Sequence, residues 1–155
     1  MEIHPLSAGQ APLAALLTCD LLVEEGYELL PTAFSALRKE IETAILSGTS
    51  QVIVGMDGDI PIGMIQLKFD CDPIVGERVE VLRFYITPAY RRTRVAYQLL
   101  QETIRLNPHL QDSTPILIST SGDNPLRNSF KQLGFQPYLT IHSTKVETIR
   151  ERMRT

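Results

Sequence analysis

The sequence predicts an α/β domain built on a mixed central sheet, and three observations carry that prediction. Segments with apolar residues at helical spacing alternate with segments of strand period. The first two central strands are joined by a tight turn, which makes them an antiparallel hairpin. Helices then interleave with the later strands, so the sheet is mixed and not a doubly wound parallel one. The predicted order is β-α-α-β-β-β-α-β-α-β.

Glu2–Pro5 reads as a short opening strand. Pro12 begins a helix that carries Leu13, Leu16, Leu17 and Leu21 at spacings of three and four, runs to about Glu25 and ends at Gly26. A loop, GYELLP, leads to a second helix marked by Phe34, Leu37, Ile41 and Ile45. Thr32 stands at its N-cap position and Gly48 just past its end. From Gln51 the period changes to that of strands. Gln51–Gly55 pairs across the turn 56–59 with Pro61–Phe69, and 70–78 reads as a polar connection with Pro73 and Gly76. Val79–Thr87 is a further strand. Val95–Leu106 returns to helical spacing and stops at Asn107-Pro108. Ile116–Thr120 reads as a short buried strand, Pro125–Leu133 as a short helix ended by Gly134, and Tyr138–Val146 as a last strand. The tail ETIRERMRT is polar and is expected to fray.

Composition narrows the function classes. The chain has 155 residues, 43% of them hydrophobic and 21% charged, enough for one domain, residues 1–155, with its own core. With 15 basic against 18 acidic residues, it has no overall positive field for nucleic acid or an anionic membrane. Cys19 and Cys71 have neither metal-ligand nor disulfide-framework spacing, and His4, His109 and His142 form no metal pattern, so no metal is expected. The start MEIHPLSAGQ lacks a basic segment followed by an apolar run, and LAALLTCDLLVEEG is interrupted by Asp20. A cytoplasmic location is therefore expected.

The informative stretch is VEVLRFYITPAYRRTRVAYQLL, residues 79–100: a strand, a short basic turn and a helix. A helix start offers unpaired N–H groups and the positive end of the macrodipole, which together suit a phosphate or pyrophosphate. Arg91, Arg92 and Arg94 add positive charge there, and Ala96 is small where close approach is needed. There is no Gly-Lys-Ser/Thr and no Gly-x-Gly-x-x-Gly, so neither nucleotide-binding glycine loop is present. From spacing alone a solvated basic helix start explains the segment equally well.

Residues Arg91-Arg92-Thr93-Arg94-Val95-Ala96, preceded by Ile86-Thr87-Pro88 and followed by Leu99-Leu100, resemble the Arg/Gln-x-x-Gly-x-Gly/Ala motif of the GNAT acyltransferases. Asn124, followed by Phe130-Lys131-Gln132-Leu133-Gly134-Phe135, is similar to that family's Asn and aromatic-x-x-Leu-Gly-Phe signature. With the element order, the resemblance covers residues 1–146. It implies a GNAT fold, with a mixed central sheet flanked by about four helices and with splayed fourth and fifth strands, binding acetyl-CoA or another acyl-CoA. It further implies that the backbone of Phe84, Tyr85 and Ile86 pairs with the pantetheine arm. The N–H groups from Arg92 through Thr93, Arg94 and Val95 to Ala96, with Arg91, would hold the pyrophosphate, while Asn124 and Phe130 sit near the pantetheine. The implied chemistry is direct attack of an amine on the thioester.

The sequence departs from that pattern at two positions. Arg94 replaces the first glycine, which keeps the N–H but adds a long side chain and removes a residue of free conformation. Phe130 stands where many relatives carry a tyrosine that protonates the departing thiolate. A thiol of pKa roughly 8–9 leaves tolerably without a proton, so a loss of rate rather than of reaction is expected.

Glu80 lies eleven residues before Arg91, like the glutamate that some relatives use as a base. It is an acid in an apolar strand, where desolvation would raise its pKa; pairing with Arg78 or Arg83 is the alternative. Strict alternation puts Glu80 on one face with Leu82 and Phe84, and Arg83 with Tyr85 on the other; a bulge in this strand, which the resemblance implies is usual, would alter that assignment. Arg83 in mid-strand suggests either substrate-carboxylate binding or a buried ion pair. Tyr27, with Glu24 and Glu25, belongs to the helix–helix region expected to overhang the acceptor, and His142 lies in the last strand bordering it. The resulting reading is an N-acetyltransferase acting on a small-molecule or protein amine. A non-catalytic acyl-CoA-binding module, or an acyltransferase with a long-chain or carrier-protein donor, is the alternative. A homodimer through Tyr138–Val146 is compatible with its apolar content.

Overall fold

A computed structural model describes residues 1–74, 76–119, 124, 126–136 and 145–154. Five strands form one sheet in the order β1-β2-β3-β4-β5: β1 Glu2–Pro5, β2 Ser50–Asp57, β3 Ile60–Asp72, β4 Gly76–Ile86 and β5 Ile116–Ile118. The first four are antiparallel neighbours, and β4 and β5 are parallel. The helices are α1 Ala11–Glu24, α2 Ala33–Leu46, α3 Val95–Leu106, α4 Arg127–Gln132 and α5 Val146–Met153.

The sheet separates two apolar layers. On one face Val52, Val54, Met64 and Tyr85 pack beneath α1 and α2, meeting Ala14, Leu17, Leu21, Leu37 and Ile41. On the other Ile53, Ile65, Val79, Val81, Phe84 and Ile86 meet Val95 and Leu99 of α3 and Phe130 of α4. Alternating residues of each strand supply the two layers, as the pleat requires. Gly63 sits where α3 comes closest to the sheet. An added Cβ there would lie 3.2 Å from the Tyr85 carbonyl oxygen and 3.3 Å from a Leu99 methyl. The far end of α3 is pinned by buried Asn107, whose Nδ2 donates to Gln51 Oε1 at 2.8 Å and to the Thr103 carbonyl at 2.7 Å.

Most expected elements are present within a residue or two, and three differ. The segment 70–78 is not a connection: β3 runs to Asp72 and β4 begins at Gly76, with Asp70 directly opposite Arg78 and paired with it at 3.2 Å. Its polar residues belong to the exposed end of a hairpin, where the ladder is satisfied without a core. Thr32 occupies the N-cap position of α2 but makes no capping bond, because its backbone is already helical (φ −90°, ψ −2°). The tail expected to fray contains α5, which Val146 opens instead of closing a strand; none of the helix is buried. The rest of the expected strand, 138–144, lies outside the described residues.

One irregularity governs the site. Within β4, Arg83 pairs with Gln66 and Val81 with the next residue, Leu67, so Leu82 is an extra residue, a β-bulge. The bulge reverses the alternation along β4. Val79, Val81, Phe84 and Ile86 share the α3 face, leaving Glu80 with Arg83 and Tyr85 on the other. The expectation from strict alternation, Glu80 with Phe84, is therefore wrong.

Candidate acyl-transfer cleft

β4 has two partners over only part of its length. β5 pairs with Val79, Glu80 and Val81. Among the described residues Arg83–Ile86 pair with β3 alone. A cleft of about 150 Å3 opens at this point. It is lined by Val81–Phe84, by Ile118 and Ser119 after β5, by Asn124, and by Leu21, Leu22 and Glu25 from α1. A second cleft of about 460 Å3 lies at the start of α3, between Arg91, Arg92, Thr93, Ala96 and Tyr97 on one side and Asn128, Ser129, Gln132 and Leu133 on the other.

The turn before α3 is shaped by its own side chains. Thr93 Oγ1 donates to the Tyr90 carbonyl at 2.6 Å, and the first helical amide paired in the i to i−4 pattern is Gln98, bonded to Arg94 at 2.9 Å. Ahead of it, the Thr93 amide donates to the Tyr90 carbonyl at 3.2 Å and the Val95 amide to Thr93 Oγ1 at 3.4 Å, at a helix N-terminus beside the larger cleft. Arg94 has φ −82°, so this backbone needs no glycine, and its guanidinium folds over the Tyr97 ring at 5.9 Å. Arginine at the motif's glycine position is therefore accommodated without strain.

Arg91 has a different setting. Its Nε donates to the Ile86 carbonyl at 2.9 Å, and its Nη2 reaches both carboxylate oxygens of Glu24 at 2.5 Å. The same guanidinium lies over the Tyr85 ring at 5.6 Å. The Tyr85 hydroxyl donates to Glu24 Oε1 at 3.4 Å. Burial, then the negative charges of Glu24 and Asp20, push the phenol up to about 12, against which the Arg91 charge works. Burial and the neighbouring Glu24 also raise the Asp20 carboxyl above its ordinary range. The cluster ties the end of α1 to the end of β4, and the Arg91 side chain faces this tie.

The remaining expected residues fall into three groups. Phe84 lines the smaller cleft and meets the buried Phe130 ring edge-on at 5.3 Å, with Phe135 against its other side at 5.7 Å; Phe130 lines neither cleft. Val95 and Ile86 are buried beneath the motif. Asn124 lines the smaller cleft while its Oδ1 accepts from the Leu126 amide at 2.8 Å, leaving its NH2 group for a ligand. Arg83 lines that cleft as well, held by Gln66 Oε1 at 2.8 Å and Glu40 at 3.2 Å. Glu80 is half-buried opposite Lys68 and lines neither cleft. Tyr27 is 62% exposed beyond α1 and also lines neither; His142 lies outside the described residues.

No sequence motif marks Ser119, Asn128 or Ser129 as site residues, and Glu24 and Glu25 are marked only by region. The two glutamates had a readable signal. They follow Leu17, Thr18 and Leu21 at spacings of three, four and seven, which puts carboxylates on the buried stripe of α1. The serines and Asn128 had none, because their place depends on how far β5 and α4 stand from β4.

A mixed sheet whose parallel pair opens into a cleft, beside a basic helix start, is the architecture of acyl-CoA-dependent acetyltransferases. The profile of the acetyltransferase (GNAT) family matches residues 17–135, and the chain belongs to that family. Solved structures share the fold at low identity. A predicted acetyltransferase with acetyl-CoA from Clostridium acetobutylicum superposes with a TM-score of 0.77 at 14% identity, over 95% of this chain and 97% of that one. A possible acetyltransferase from Clostridium difficile gives 0.73 at 16%, over 94% and 97%. AAC(6')-Iy in complex with the bisubstrate analogue CoA-S-monomethyl-acetylneamine gives 0.70 at 20%, over 93% and 97%. No curated protein sequence matches the chain. Among the described residues no helix is long and apolar enough to cross a membrane.

Proposed function

We propose that the protein transfers the acetyl group of acetyl-CoA to a primary amine by direct attack. The observation that carries this reading is the cleft that begins where the described β4–β5 pairing ends at Val81, lined by Val81–Phe84 on one side and by Ile118, Ser119 and Asn124 on the other. The residues present fit the donor. Phe84, Tyr85 and Ile86 offer strand-edge N–H and C=O groups to the two amides of a pantetheine arm. Arg92, Thr93, Arg94, Val95 and Ala96 offer a helix N-terminus to the pyrophosphate. Arg92 and Arg94 stay solvent-exposed, where they add long-range attraction for a polyanion. Asn124 and Ser119 form the opposite lip.

Bound acetyl-CoA supplies an activated carbonyl carbon, to which the amine nitrogen bonds as the C–S bond breaks and its electron pair leaves with sulfur. The chain's own residues align the amine, exclude water and receive its proton. Glu25 is a carboxylate on the cleft wall, and we assign it the first acceptance of that proton. Glu80, behind the bulge, is a second carboxylate reached through water. Phe130 supplies no proton to the departing thiolate, which leaves unprotonated or takes one from solvent. Isothermal titration with acetyl-CoA, CoA and a longer acyl-CoA tests the reading. Micromolar acetyl-CoA binding, followed by CoA release with an amine, is expected. No binding at millimolar ligand overturns it, and binding without release to any amine would make the domain an acyl-CoA sensor.

A further inference from the structure

Arg83 stands in mid-strand on the α1–α2 face of the sheet, its side chain 20% exposed, with an unusual set of partners. Its buried partner is neutral: Gln66, 1% exposed, whose amide oxygen accepts from Nη1 at 2.8 Å. Gln66 is itself tethered, its Nε2 donating to Ser50 Oγ at 3.5 Å. The charged partner, Glu40, is 61% exposed, so water screens its attraction. Here the buried groups fix its direction and leave its charge largely uncompensated toward the cleft it lines.

The opposite wall has the opposite sign. Glu25 lines the same cleft from α1, while neighbouring Glu24 is already neutralised by Arg91. One small cleft thus has an oriented cation on its β4 wall and a carboxylate on its α1 wall. Arginine has five N–H donors in a planar fork, and Gln66 and Glu40 engage only two of its nitrogens.

We infer that the acceptor is a small amine that also carries a carboxylate, with Arg83 reading the carboxylate and Glu25 receiving the ammonium. The inference rests on the acetyltransferase reading above. It resolves the choice that the sequence left open at Arg83 in favour of substrate binding.

The test measures CoA release with matched acceptors that differ only in the carboxylate: L-lysine against cadaverine, L-phenylalanine against phenethylamine, and β-alanine against ethylamine. The wild-type protein is expected to favour at least one carboxylated member over its partner by about tenfold or more in kcat/KM. Arg83→Met should reduce that value about 10- to 100-fold, through KM, and leave the partner amine within about threefold. Arg83→Lys, which keeps charge without the fork, should fall between. Titration of each variant with acetyl-CoA should give an unchanged Kd, and an unchanged thermal midpoint shows that the fold is intact. Equal or better use of the plain amines by the wild type overturns the inference. So does an equal loss for both members in Arg83→Met, a matching loss of acetyl-CoA affinity, or binding of acetyl-CoA with transfer to no carboxylated acceptor. Failure of the wild type to bind acetyl-CoA at all removes the acetyltransferase reading itself, which is a different result.

Discussion

The two halves of β4 differ in composition and in pairing. Gly76–Val81 is hydrogen-bonded to β3 and, over its last three residues, to β5 as well. Leu82–Ile86 keeps β3 and, among the described residues, has no β5 partner, although it contributes more large apolar residues to the core. Pairing and burial are therefore separable. The second half is held by its side chains, with Phe84 and Ile86 packed toward α3 and Tyr85 toward α1, and among the described residues its outer edge has no strand partner. An edge held by packing and not by pairing suits an extended ligand, and it is also what a sheet normally avoids.

The sharpest way to break this contrast is to delete Leu82. Without the extra residue, either Val79 and Val81 or Phe84 and Ile86 must leave the α3 core, and Glu80 or Arg83 must enter it. Such an exchange should cost more than about 4 kcal/mol and leave little folded protein by circular dichroism. A deletion variant with a wild-type thermal midpoint would show that the bulge does not set the two faces.

Glu25→Gln sharpens the comparison on the cleft side. It should lower kcat about 100-fold while leaving acetyl-CoA affinity within about threefold, as expected for loss of a proton acceptor. The same change at Glu80 should cost less, because that side chain lines neither cleft. A larger loss at Glu80 than at Glu25 would reverse the two assignments.

Glu24→Ala removes the tie between α1 and the open half of β4. It strands a guanidinium whose side chain is 19% exposed, at a cost of about 1–2 kcal/mol. The midpoint should fall by about 4 °C. The Tyr85 phenol should then titrate earlier, since Glu24 is one of the charges that raise it.

Tyr85 also has a pH signature. Its ionisation, raised in the fold from 10 to about 12, means that the folded state favours the protonated phenol. That contribution to stability is complete below pH 10 and is lost as pH rises toward 12. Absorbance at 295 nm should show a late-ionising tyrosine in the folded protein, and Tyr85→Phe should remove it. The smallest effect belongs to Arg94→Gly. With φ at −82°, restoring the family's glycine relieves no strain, so acetyl-CoA affinity should change by less than about threefold, with a weaker salt dependence.

Much of this was legible in advance, for reasons specific to each segment. Val95–Leu106 has the same bounds in sequence and structure because Leu99 repeats the apolar phase of Val95, while Asn107-Pro108 ends the helix. The basic start of α3 is legible because it depends only on a strand, a turn and a helix that are consecutive in the chain. The hairpin end at 70–78 was misread because ladder pairing satisfies polar residues as well as a loop does. Glu80 was placed on the wrong face because one extra residue inverts a period of two, and nothing in VEVLRF marks where it is inserted.

By itself, then, the sequence determined the order of elements from β1 to α4 and the basic turn, all of which follow from local periodicity and from residues close in the chain. Tertiary structure decided the rest. Where β4 leaves β5, which way Arg83 and Glu80 face, and that Arg91 turns to Glu24 while Glu25 meets the cleft, all depend on residues as far apart as 67 positions. Such contacts are set by register and packing between distant segments, and no local pattern encodes them.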